Sequence, residues 1–318
     1  MALLEVEHLT VSLPTSDGWV HPVDDVSFTV SRGEILSIVG ESGCGKSTTA
    51  LAVMRLLAEN VRIAGQIRLD GADLLQLSEA EMCALRGNRI SMIFQEPMTA
   101  LNPVKTIGFQ IMEPLLVHTS MSRTEAREKA IDLLARVGID QPARRINAYP
   151  HQLSGGQRQR IVIAMALACE PDLIVADEPT TALDTTVQRQ ILDLLLRLVS
   201  ETSIALMLIT HNLAVVSEVA DRVMVMYGGR ITETGPTSDV LAHPIHPYTK
   251  GLIGALPRAD LPPGERLVPI AGVVPRLVDM PSGCALADRC PAVIDACRRA
   301  RPAERMIRPA HQAACIRA

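Results

Sequence analysis

The chain has 318 residues, of which 47% are apolar and 21% are charged, so it is long and apolar enough to bury a sizeable core. Its net charge of −4 and its aromatic content of 2% argue against a nucleic-acid surface built on basic charge or base stacking. The N-terminus lacks a basic region, and no apolar run approaches the roughly 18 residues of a membrane span, so we expect neither a secretory signal nor a spanning helix.

Apolar runs bounded by turn residues predict a chain that contains both strands and helices. The predicted strands lie at 3–13, 23–30, 35–39, 66–69, 89–94, 172–177 and 204–210, with a last pair within 222–234. The predicted helices lie at 48–57, after a cap at Ser78, and at 107–117, 122–137, 153–169, 186–200 and 212–220. Residues 106–147 carry helical patterns without a strand signal, which indicates a helical insertion in an α/β core.

One octapeptide, Gly40–Ser47, fits the pattern G-x-x-x-x-G-K-S/T of a phosphate-binding loop. It lies between a predicted buried strand and a predicted helix, which is the context that this chemistry needs. Its glycines let successive backbone N–H groups face one phosphate chain, and the helix N-terminus favours an anion. Lys46 can reach the β- and γ-phosphates, and the Ser47 hydroxyl can join the Mg²⁺ shell.

Two adjacent carboxylates, Asp177 and Glu178, end the predicted strand at 172–177. At the carboxyl edge of the sheet, beside the phosphate loop, Asp177 can hold Mg²⁺ through water and Glu178 can polarise the attacking water. Gln95 and His211, at two other strand ends, can contact the γ-phosphate region. Each of these residues alone is more typical of an ordinary strand end. Their combination with a phosphate loop indicates a hydrolytic site.

The pentapeptide Leu153–Gln157, with the sequence LSGGQ, opens the helix that runs to Cys169. Ser154 and two glycines at a helix start offer a hydroxyl and bare N–H groups to a second anion. The γ-phosphate of one nucleotide can use both loops if two subunits sandwich it. A Gly-Gly helix start without a ligand is the alternative interpretation.

Together these motifs resemble the nucleotide-binding subunit of an ATP-binding-cassette (ABC) transporter. The phosphate loop, Gln95, LSGGQ, the Asp177-Glu178 pair, the turn at 182–184 and His211 occur in the order of that family. The resemblance implies an α/β fold, namely a P-loop ABC ATPase domain with a mixed sheet core and a helical subdomain. It also implies ATP and Mg²⁺ as ligands.

The resemblance assigns a role to each residue of the site. Ser154, Gly155 and Gly156 are expected to contact ATP bound to a partner subunit, and Asp184 to couple the two sites. Trp19 is the candidate for stacking on adenine. The expected catalytic residues are Glu178, His211 and Gln95, and the expected Mg²⁺ residues are Ser47, Gln95 and Asp177. The expected nucleotide-binding residues are Trp19, Gly40, Glu41, Ser42, Gly43, Cys44, Gly45, Lys46, Ser47, Thr48, Gln95, Ser154, Gly155, Gly156, Gln157, Asp177, Asp184 and His211.

Two further segments, Phe94–Pro103 and His246–Lys250, resemble the peptide and nickel importer branch of the family. They imply the D-type ATPase subunit of a dipeptide or oligopeptide permease, at the cytoplasmic face of the inner membrane. The implied partners are a second homologous ATPase in a heterodimer, two membrane permease subunits with a coupling helix docked near 96–113, and indirectly an extracytoplasmic substrate-binding protein. No nucleic-acid partner is expected.

The composition changes near Gly235, after which prolines recur from Pro236 to Pro281. We expect a nucleotide-binding domain over 1–235, with its helical subdomain at about 96–155, and a Pro- and Cys-rich, loop-rich C-terminal extension over 236–318.

Four of the seven cysteines crowd this extension: Cys284, Cys290, Cys297 and Cys315. A disulfide framework is not expected in a reducing compartment, and four thiolates suggest Zn²⁺ or an iron–sulfur cluster. The spacing matches neither a zinc knuckle nor a bacterial ferredoxin. The resemblance favours a 4Fe–4S cluster, with Zn²⁺ and free thiols as the alternatives. His311 is a candidate zinc ligand, although a loop residue is the simpler interpretation.

Other functions remain open at this stage. A soluble cassette ATPase acting on ribosomes or in DNA repair usually has two cassettes or a coiled-coil arm, and neither is seen here. A protein that uses ATP only as a switch would not need Glu178 and His211. Nickel and glutathione importers remain alternatives, because the binding protein and the membrane subunits select the substrate.

Overall fold

The structure, a computed structural model, describes residues 2–95, 100–181, 183–256 and 270–318. It divides into two compact units. The unit that contains the LSGGQ signature, here called the signature unit, consists of Met1–Leu4, Val30–Glu34 and Arg68–Ile209. The unit that contains the phosphate loop, here called the phosphate-loop unit, consists of Glu5–Thr29, Ile35–Ile67 and Thr210–Ala318. The predictions for Glu96–Thr99, for Ala182 and for the prolines within 257–269 lie outside the described residues.

The order of strands and helices confirms the predicted α/β fold. The strands are β1 (Ala2–Thr15), β2 (Gly18–Ser31), β3 (Ile35–Val39), β4 (Arg62–Leu69), β5 (Ala72–Asp73), β6 (Ile90–Ile93), β7 (Leu173–Asp177), β8 (Ala205–Ile209), β9 (Arg222–Tyr227), β10 (Arg230–Pro236), β11 (Arg305–Arg308) and β12 (His311–Ala313). The helices are α1 (Lys46–Val53), α2 (Glu79–Leu85), α3 (Ile107–His118), α4 (Arg123–Arg136), α5 (Pro142–Arg145), α6 (Gly155–Ala166), α7 (Thr185–Thr202), α8 (Leu213–Val219), α9 (Thr237–Ala242), α10 (Pro247–Gly254) and α11 (Asp295–Arg299).

The signature unit contains the parallel strands β6, β7 and β8, with β7 in the middle. Every residue of β7 and β8 is buried, which is why both strands read as continuous apolar runs. At the start of β6 and β7, Asp172 accepts hydrogen bonds from Arg32 (2.6 Å) and Arg89 (2.7 Å). The opposite, carboxyl ends of these strands carry Gln95 and Asp177.

Residues 106–147, predicted as a helical insertion, contain the helices α3, α4 and α5 of the signature unit. Helices α3 and α4 begin at side-chain caps: Thr106 caps α3, and at α4 the Ser122 hydroxyl accepts a hydrogen bond from the Glu125 N–H (3.3 Å) while the Glu125 carboxylate accepts one from the Ser122 N–H (2.7 Å). Helix α3 packs on α4 and α6. None of the helices in the described ranges is long and apolar enough to cross a membrane.

The phosphate-loop unit holds a mixed sheet in which β3 pairs parallel with β9. Strands β9 and β10, β10 and β12, and β11 and β12 pair antiparallel. A second sheet of this unit contains the larger part of each of the strands β1, β2 and β4, with β1 in the middle. The turn between β1 and β2 is shorter than the gap between the predicted strands at 3–13 and 23–30, because both strands continue up to a two-residue turn, which the Thr15 hydroxyl closes by donating a hydrogen bond to the Gly18 carbonyl (2.7 Å). Trp19 therefore lies within β2.

The C-terminal extension is more ordered than the predicted loop-rich tail. Tyr248 and Leu286 are part of the buried cluster that covers β3 and β9, and β12 extends the sheet beside β10. The prediction that His311 is a loop residue was wrong: it lies fully buried in β12, with its Nε2 2.7 Å from a carboxylate oxygen of Glu233. The physical reason is that Glu233 is itself fully buried, and a buried carboxylate requires a partner.

Candidate functional site

The phosphate loop takes a conformation that only glycine allows at two of its positions. Gly40 (φ 154°) and Gly45 (φ 103°) lie so close to other backbone segments that a Cβ would stand 2.2 Å from the Met226 carbonyl oxygen and 2.0 Å from the Pro22 carbonyl oxygen, respectively. Gly43 (φ 80°) has open space around it, with no heavy atom within 4 Å of a Cβ. The loop is therefore closely packed at both ends and open in the middle, where a phosphate chain would lie.

Helix α1 begins at Lys46, directly after the left-handed Gly45. The Lys46 ammonium is buried and donates hydrogen bonds to the carbonyl oxygens of Gly40 (2.8 Å) and Glu41 (3.0 Å). Ser47 and Thr48 follow in the first turn, which contains no acidic residue. The N–H groups at this helix start and the lysine charge together make a site for an anion.

Two other predicted residues lie in the same unit. The Thr210 N–H donates a hydrogen bond to the Ile38 carbonyl oxygen (3.2 Å), so the segment that carries His211 starts beside the end of β3. Trp19 is 43% exposed, and the guanidinium of Arg62 lies 4.0 Å from its ring centroid. One face of the indole is thus occupied by Arg62. Its role in stacking on adenine stays a prediction.

In the signature unit, strands β6 and β7 bring Gln95, Asp177 and Glu178 together. The Gln95 side-chain amide donates a hydrogen bond to a carboxylate oxygen of Glu178 (3.3 Å), and Asp177 is buried at the end of β7. Glu178 has φ +46°, a left-handed conformation that a non-glycine residue seldom takes. Its N–H donates to the Ile209 carbonyl oxygen (2.9 Å). Strained backbone of this kind is typical of functional positions.

Thr181 is a contact of the catalytic candidate that the sequence analysis missed. Its hydroxyl donates a hydrogen bond to the same Glu178 oxygen that Gln95 contacts (2.8 Å). Both donors therefore fix the position of this carboxylate oxygen. The only signal in the sequence was the position of Thr181, three residues after Glu178 in a turn.

The LSGGQ segment forms the start of α6 as predicted. The Ser154 hydroxyl caps the helix by accepting from the Gln157 N–H (3.3 Å), and the Gln157 side chain accepts from the Ser154 N–H (3.1 Å). A Cβ on Gly156 would stand 2.6 Å from Cγ1 of Val187, so this glycine is needed for packing against α7. Gly155 is exposed, and its Cβ would meet only Leu183, at 3.5 Å.

Asp184 also has a local structural role, because its carboxylate caps α7 by accepting a hydrogen bond from the Val187 N–H (3.0 Å). Its side chain remains exposed. An exposed acid at a helix start is compatible with a role in an interface, and the predicted coupling role stays a prediction.

The four cysteines of the extension, Cys284, Cys290, Cys297 and Cys315, line one small cavity of the phosphate-loop unit. Burial raises the pKa of the Cys284 and Cys290 thiols, and the other cysteines of the cavity add to this effect. Within the described ranges, no three or more His, Cys, Asp or Glu side chains are grouped so as to hold a metal ion. His311 does not line this cavity.

Comparison with known proteins identifies the family. The family description "ABC transporter" matches residues 23–181, and "Oligopeptide/dipeptide transporter, C-terminal region" matches residues 232–297. The chain belongs to the ABC transporter family. With its phosphate loop, its Asp177-Glu178 pair and its LSGGQ helix start, it is an ATPase of that family that uses ATP with Mg²⁺.

The relatives extend this match over nearly the whole chain. A putative peptide import ATP-binding protein of Brucella abortus is 50% identical over 99% of this chain and 97% of its own length. The dipeptide transport ATP-binding protein DppD of Bacillus subtilis is 50% identical over 98% of this chain and 94% of its own length. DppD of Escherichia coli is 48% identical over 99% and 96%, respectively.

Solved structures support the same fold. The ATP-binding cassette MJ0796, in a dimeric post-hydrolysis state bound to ADP and Pi, aligns with a TM-score of 0.66 at 29% identity, over 74% of this chain and 98% of that one. The protein cbiO1 of Clostridium perfringens, part of the ABC transporter complex cbiONQ, aligns with a TM-score of 0.64 at 28% identity, over 76% and 91%.

Proposed function

We propose that this chain is the ATP-hydrolysing subunit that powers the import of dipeptides or oligopeptides through a membrane complex. The observation that carries the proposal is the match to dipeptide transport ATP-binding proteins at about half identity over nearly the full length, the C-terminal region included. Nickel and glutathione importers are the alternatives, because the subunits that select the substrate are other chains. A soluble cassette ATPase without a transport role is a further alternative.

We propose one role for each predicted residue of the site. Lys46 and the N–H groups of the loop bind the phosphates, and Trp19 stacks on adenine. Ser47, Asp177 and Gln95 would hold Mg²⁺, which supplies positive charge to the β- and γ-phosphates. Glu178, held by Thr181 and Gln95, accepts a hydrogen bond from the attacking water and polarises it. His211 contacts the γ-phosphate. The water oxygen bonds to the γ-phosphorus as the bond from that phosphorus to the ADP oxygen breaks, a water proton passes to Glu178, and ADP and inorganic phosphate leave.

The loop is proposed to be half of a composite site. Ser154, Gly155 and Gly156 of this chain would close over ATP held by a second homologous ATPase, and the partner's signature would close over ATP held here. The exposure of Ser154 and Gly155 at the start of α6 supports this, as does the dimeric state of the similar cassette MJ0796. ATP binding would drive closure, hydrolysis would reopen the pair, and Asp184 would couple the two sites.

We assign the permease contact to the region around 96–113, at the cytoplasmic face of the inner membrane. Among the described residues, Val104 is 75% and Phe109 is 45% exposed, and Val117 at the end of α3 is 70% exposed. Exposed apolar side chains on and beside α3 support a docking surface in this region. We propose that each of two permease subunits inserts a coupling helix beside such a region, and that an extracytoplasmic binding protein delivers the peptide.

The domain division of this proposal follows the sequence. Residues 1–235 would form the nucleotide-binding domain, with its helical subdomain at about 96–155, and residues 236–318 the C-terminal extension. The match to the C-terminal region of oligopeptide/dipeptide transporters, which begins at residue 232, supports a boundary near this point.

The four cysteines are proposed to hold a 4Fe–4S cluster, with Zn²⁺ as the alternative. In a cluster each thiolate binds a different iron, so the four sulfurs stand further apart than around one zinc ion. The four thiols line one cavity, which supports a ligand shared among them, and the choice of the cluster over Zn²⁺ follows the resemblance to peptide importer ATPases. Because thiolate is the ligand, binding must overcome the raised pKa of Cys284 and Cys290 by releasing their protons.

Iron, acid-labile sulfide and zinc analysis of protein purified without oxygen tests the cluster. We expect about four irons and four sulfides per chain, with a broad visible absorption band. A colourless protein that carries one zinc would overturn the assignment. Cys290→Ser should lose the iron, whereas Cys83→Ser, an exposed thiol outside the extension, should retain it.

The hydrolytic role is tested by Glu178→Gln in the assembled complex. Loss of the carboxylate should lower ATP turnover by about 10²–10⁴-fold, because the attacking water loses its base, while ATP binding remains near the wild-type value. Glu128→Gln, an exposed acid on α4, is the matched control and should retain turnover. Near-wild-type hydrolysis by Glu178→Gln would refute the assignment.

A further inference from the structure

Glu41, the second residue of the phosphate loop, is held at each of its polar groups. Its carboxylate accepts two hydrogen bonds from the Arg289 guanidinium (2.7 and 3.0 Å). Its N–H donates to the Tyr248 hydroxyl (2.8 Å), and its carbonyl accepts from the Lys46 ammonium (3.0 Å). Two of these three partners come from the C-terminal extension, more than two hundred residues further along the chain.

Arg289 is fixed in place by contacts other than Glu41. Its Nε donates to the Ala271 carbonyl (2.9 Å), and a terminal nitrogen donates to the Tyr227 hydroxyl (3.3 Å). The Arg289 side chain is only 4% exposed, against 30% for Glu41. A buried guanidinium that is held at its stem and points two parallel donors at a carboxylate has one well-defined geometry. Arg289 therefore sets the position of Glu41.

Tyr248 provides the second contact from a rigid support. It lies fully buried in α10, and its ring packs against that of Tyr227 with centroids 4.7 Å apart. Because the Tyr248 hydroxyl oxygen accepts a hydrogen bond from the Glu41 N–H, that N–H is not available to a phosphate. The phosphate-binding N–H groups of the loop must therefore begin after Glu41.

These contacts affect ATP in two ways. The Lys46 ammonium lies between the carbonyl oxygens of Gly40 and Glu41, so the orientation of Glu41 sets the direction of the lysine. The Glu41 carboxylate is also a negative charge within a loop that must bind the anionic phosphates. Arg289 cancels that charge at short range, and in a partly buried site such a charge is only weakly screened by solvent.

We propose that Arg289 is a positioning residue for ATP binding: it anchors and neutralises Glu41, and with Tyr248 it lets the C-terminal extension hold the phosphate loop in its ATP-binding conformation. The inference rests on ATP binding by this loop. The extension is then part of the nucleotide site through Glu41, without itself contacting the nucleotide.

A double-variant cycle on the full chain tests this coupling, with the dissociation constant of a fluorescent ATP analogue as the readout. Arg289→Gln leaves an unpaired Glu41 carboxylate beside the phosphates and should weaken binding roughly tenfold. Glu41→Gln removes the charge that Arg289 balances, so the variant with both changes should regain most of the lost affinity. In the assembled complex, KM for ATP should rise in Arg289→Gln while kcat remains near wild type.

Arg298→Gln is the matched control, because Arg298 pairs with Asp288 in the same extension but is 56% exposed. It should bind ATP like wild type. Unchanged affinity in Arg289→Gln would overturn the proposal, and so would a double variant as weak as Arg289→Gln, since the effect would then be a general loss of the extension. If Arg289→Gln does not fold, Tyr248→Phe serves instead: it should weaken binding a few-fold, and wild-type affinity would overturn the proposal. Wild-type protein that binds no ATP would instead refute the nucleotide site itself.

Discussion

At the scale of single residues, Gly45 offers the sharpest test of the loop geometry. We expect Gly45→Ala to lose ATP binding and to lower the free energy of unfolding by more than the about 1–3 kcal/mol of backbone strain, because its Cβ would overlap the Pro22 carbonyl oxygen. Urea unfolding and titration with a fluorescent ATP analogue measure the two effects.

The control for this prediction is Gly43→Ala. Gly43 also has positive φ, but its added Cβ would have open space, so it should cost only about 1–2 kcal/mol of strain. Equal losses of stability in the two variants would show that backbone strain, rather than the close contact with Pro22, makes Gly45 necessary.

The roles of residues within short sequence motifs were predictable. The roles of residues whose partners lie far away along the sequence were not. Lys46, Asp177 and Glu178 follow from short motifs whose spacing is dictated by the phosphates and the metal. Arg289 pairs with Glu41 across a separation of 248 positions, and an arginine in a loop carries no mark of its partner. The left-handed backbone of Glu178 was equally invisible, because nothing in its neighbours signals a positive φ.

At the scale of elements, helix α10 predicts a pH dependence of stability. Its cap, His246, is buried, and burial lowers its pKa from 6.5 to about 4, with the Lys250 charge adding to the effect. Below pH 6.5 the His246 imidazole is protonated in the unfolded chain but stays neutral in the folded chain. The free energy of unfolding therefore decreases as the pH falls toward 4. Between pH 7 and 5 the loss should be about 2 kcal/mol.

Asparagine at this position should remove the dependence, because it caps a helix without titrating. Between pH 7 and 5, the free energy of unfolding measured in urea should fall by about 2 kcal/mol less in His246→Asn than in the wild-type protein. His243→Asn, an exposed histidine three residues upstream, should keep the wild-type slope. A wild-type slope in His246→Asn would contradict the burial argument.

Elements with their own caps were predicted from the sequence. Helices α2 and α4 begin at Ser78 and Ser122, each with a glutamate three residues later that completes a capping box. Strand β12 was missed because three residues give no readable alternation. Its place beside β10 depends on the buried contact of His311 with Glu233, which only the folded chain brings together.

At the scale of the whole molecule, the chain divides its chemistry between two compact units. One unit holds the phosphate loop, His211 and the extension, and the other holds the carboxylates and the signature. We propose that neither unit completes a site without a second ATPase subunit. The overall class was predictable because its motifs occur in a fixed order, whereas the substrate was not, since under the proposed function other chains select it.

The most direct test of the account is ATP-driven uptake of a labelled dipeptide into proteoliposomes that contain the complete complex. With wild-type chain we predict uptake that requires ATP and the binding protein, and with Glu178→Gln none above background. Nickel and glutathione, offered as competing substrates, should leave dipeptide uptake unchanged. Two results would contradict the account. One is equal ATP-driven dipeptide uptake by the Glu178→Gln and wild-type complexes, and the other is no dipeptide uptake by the wild-type complex.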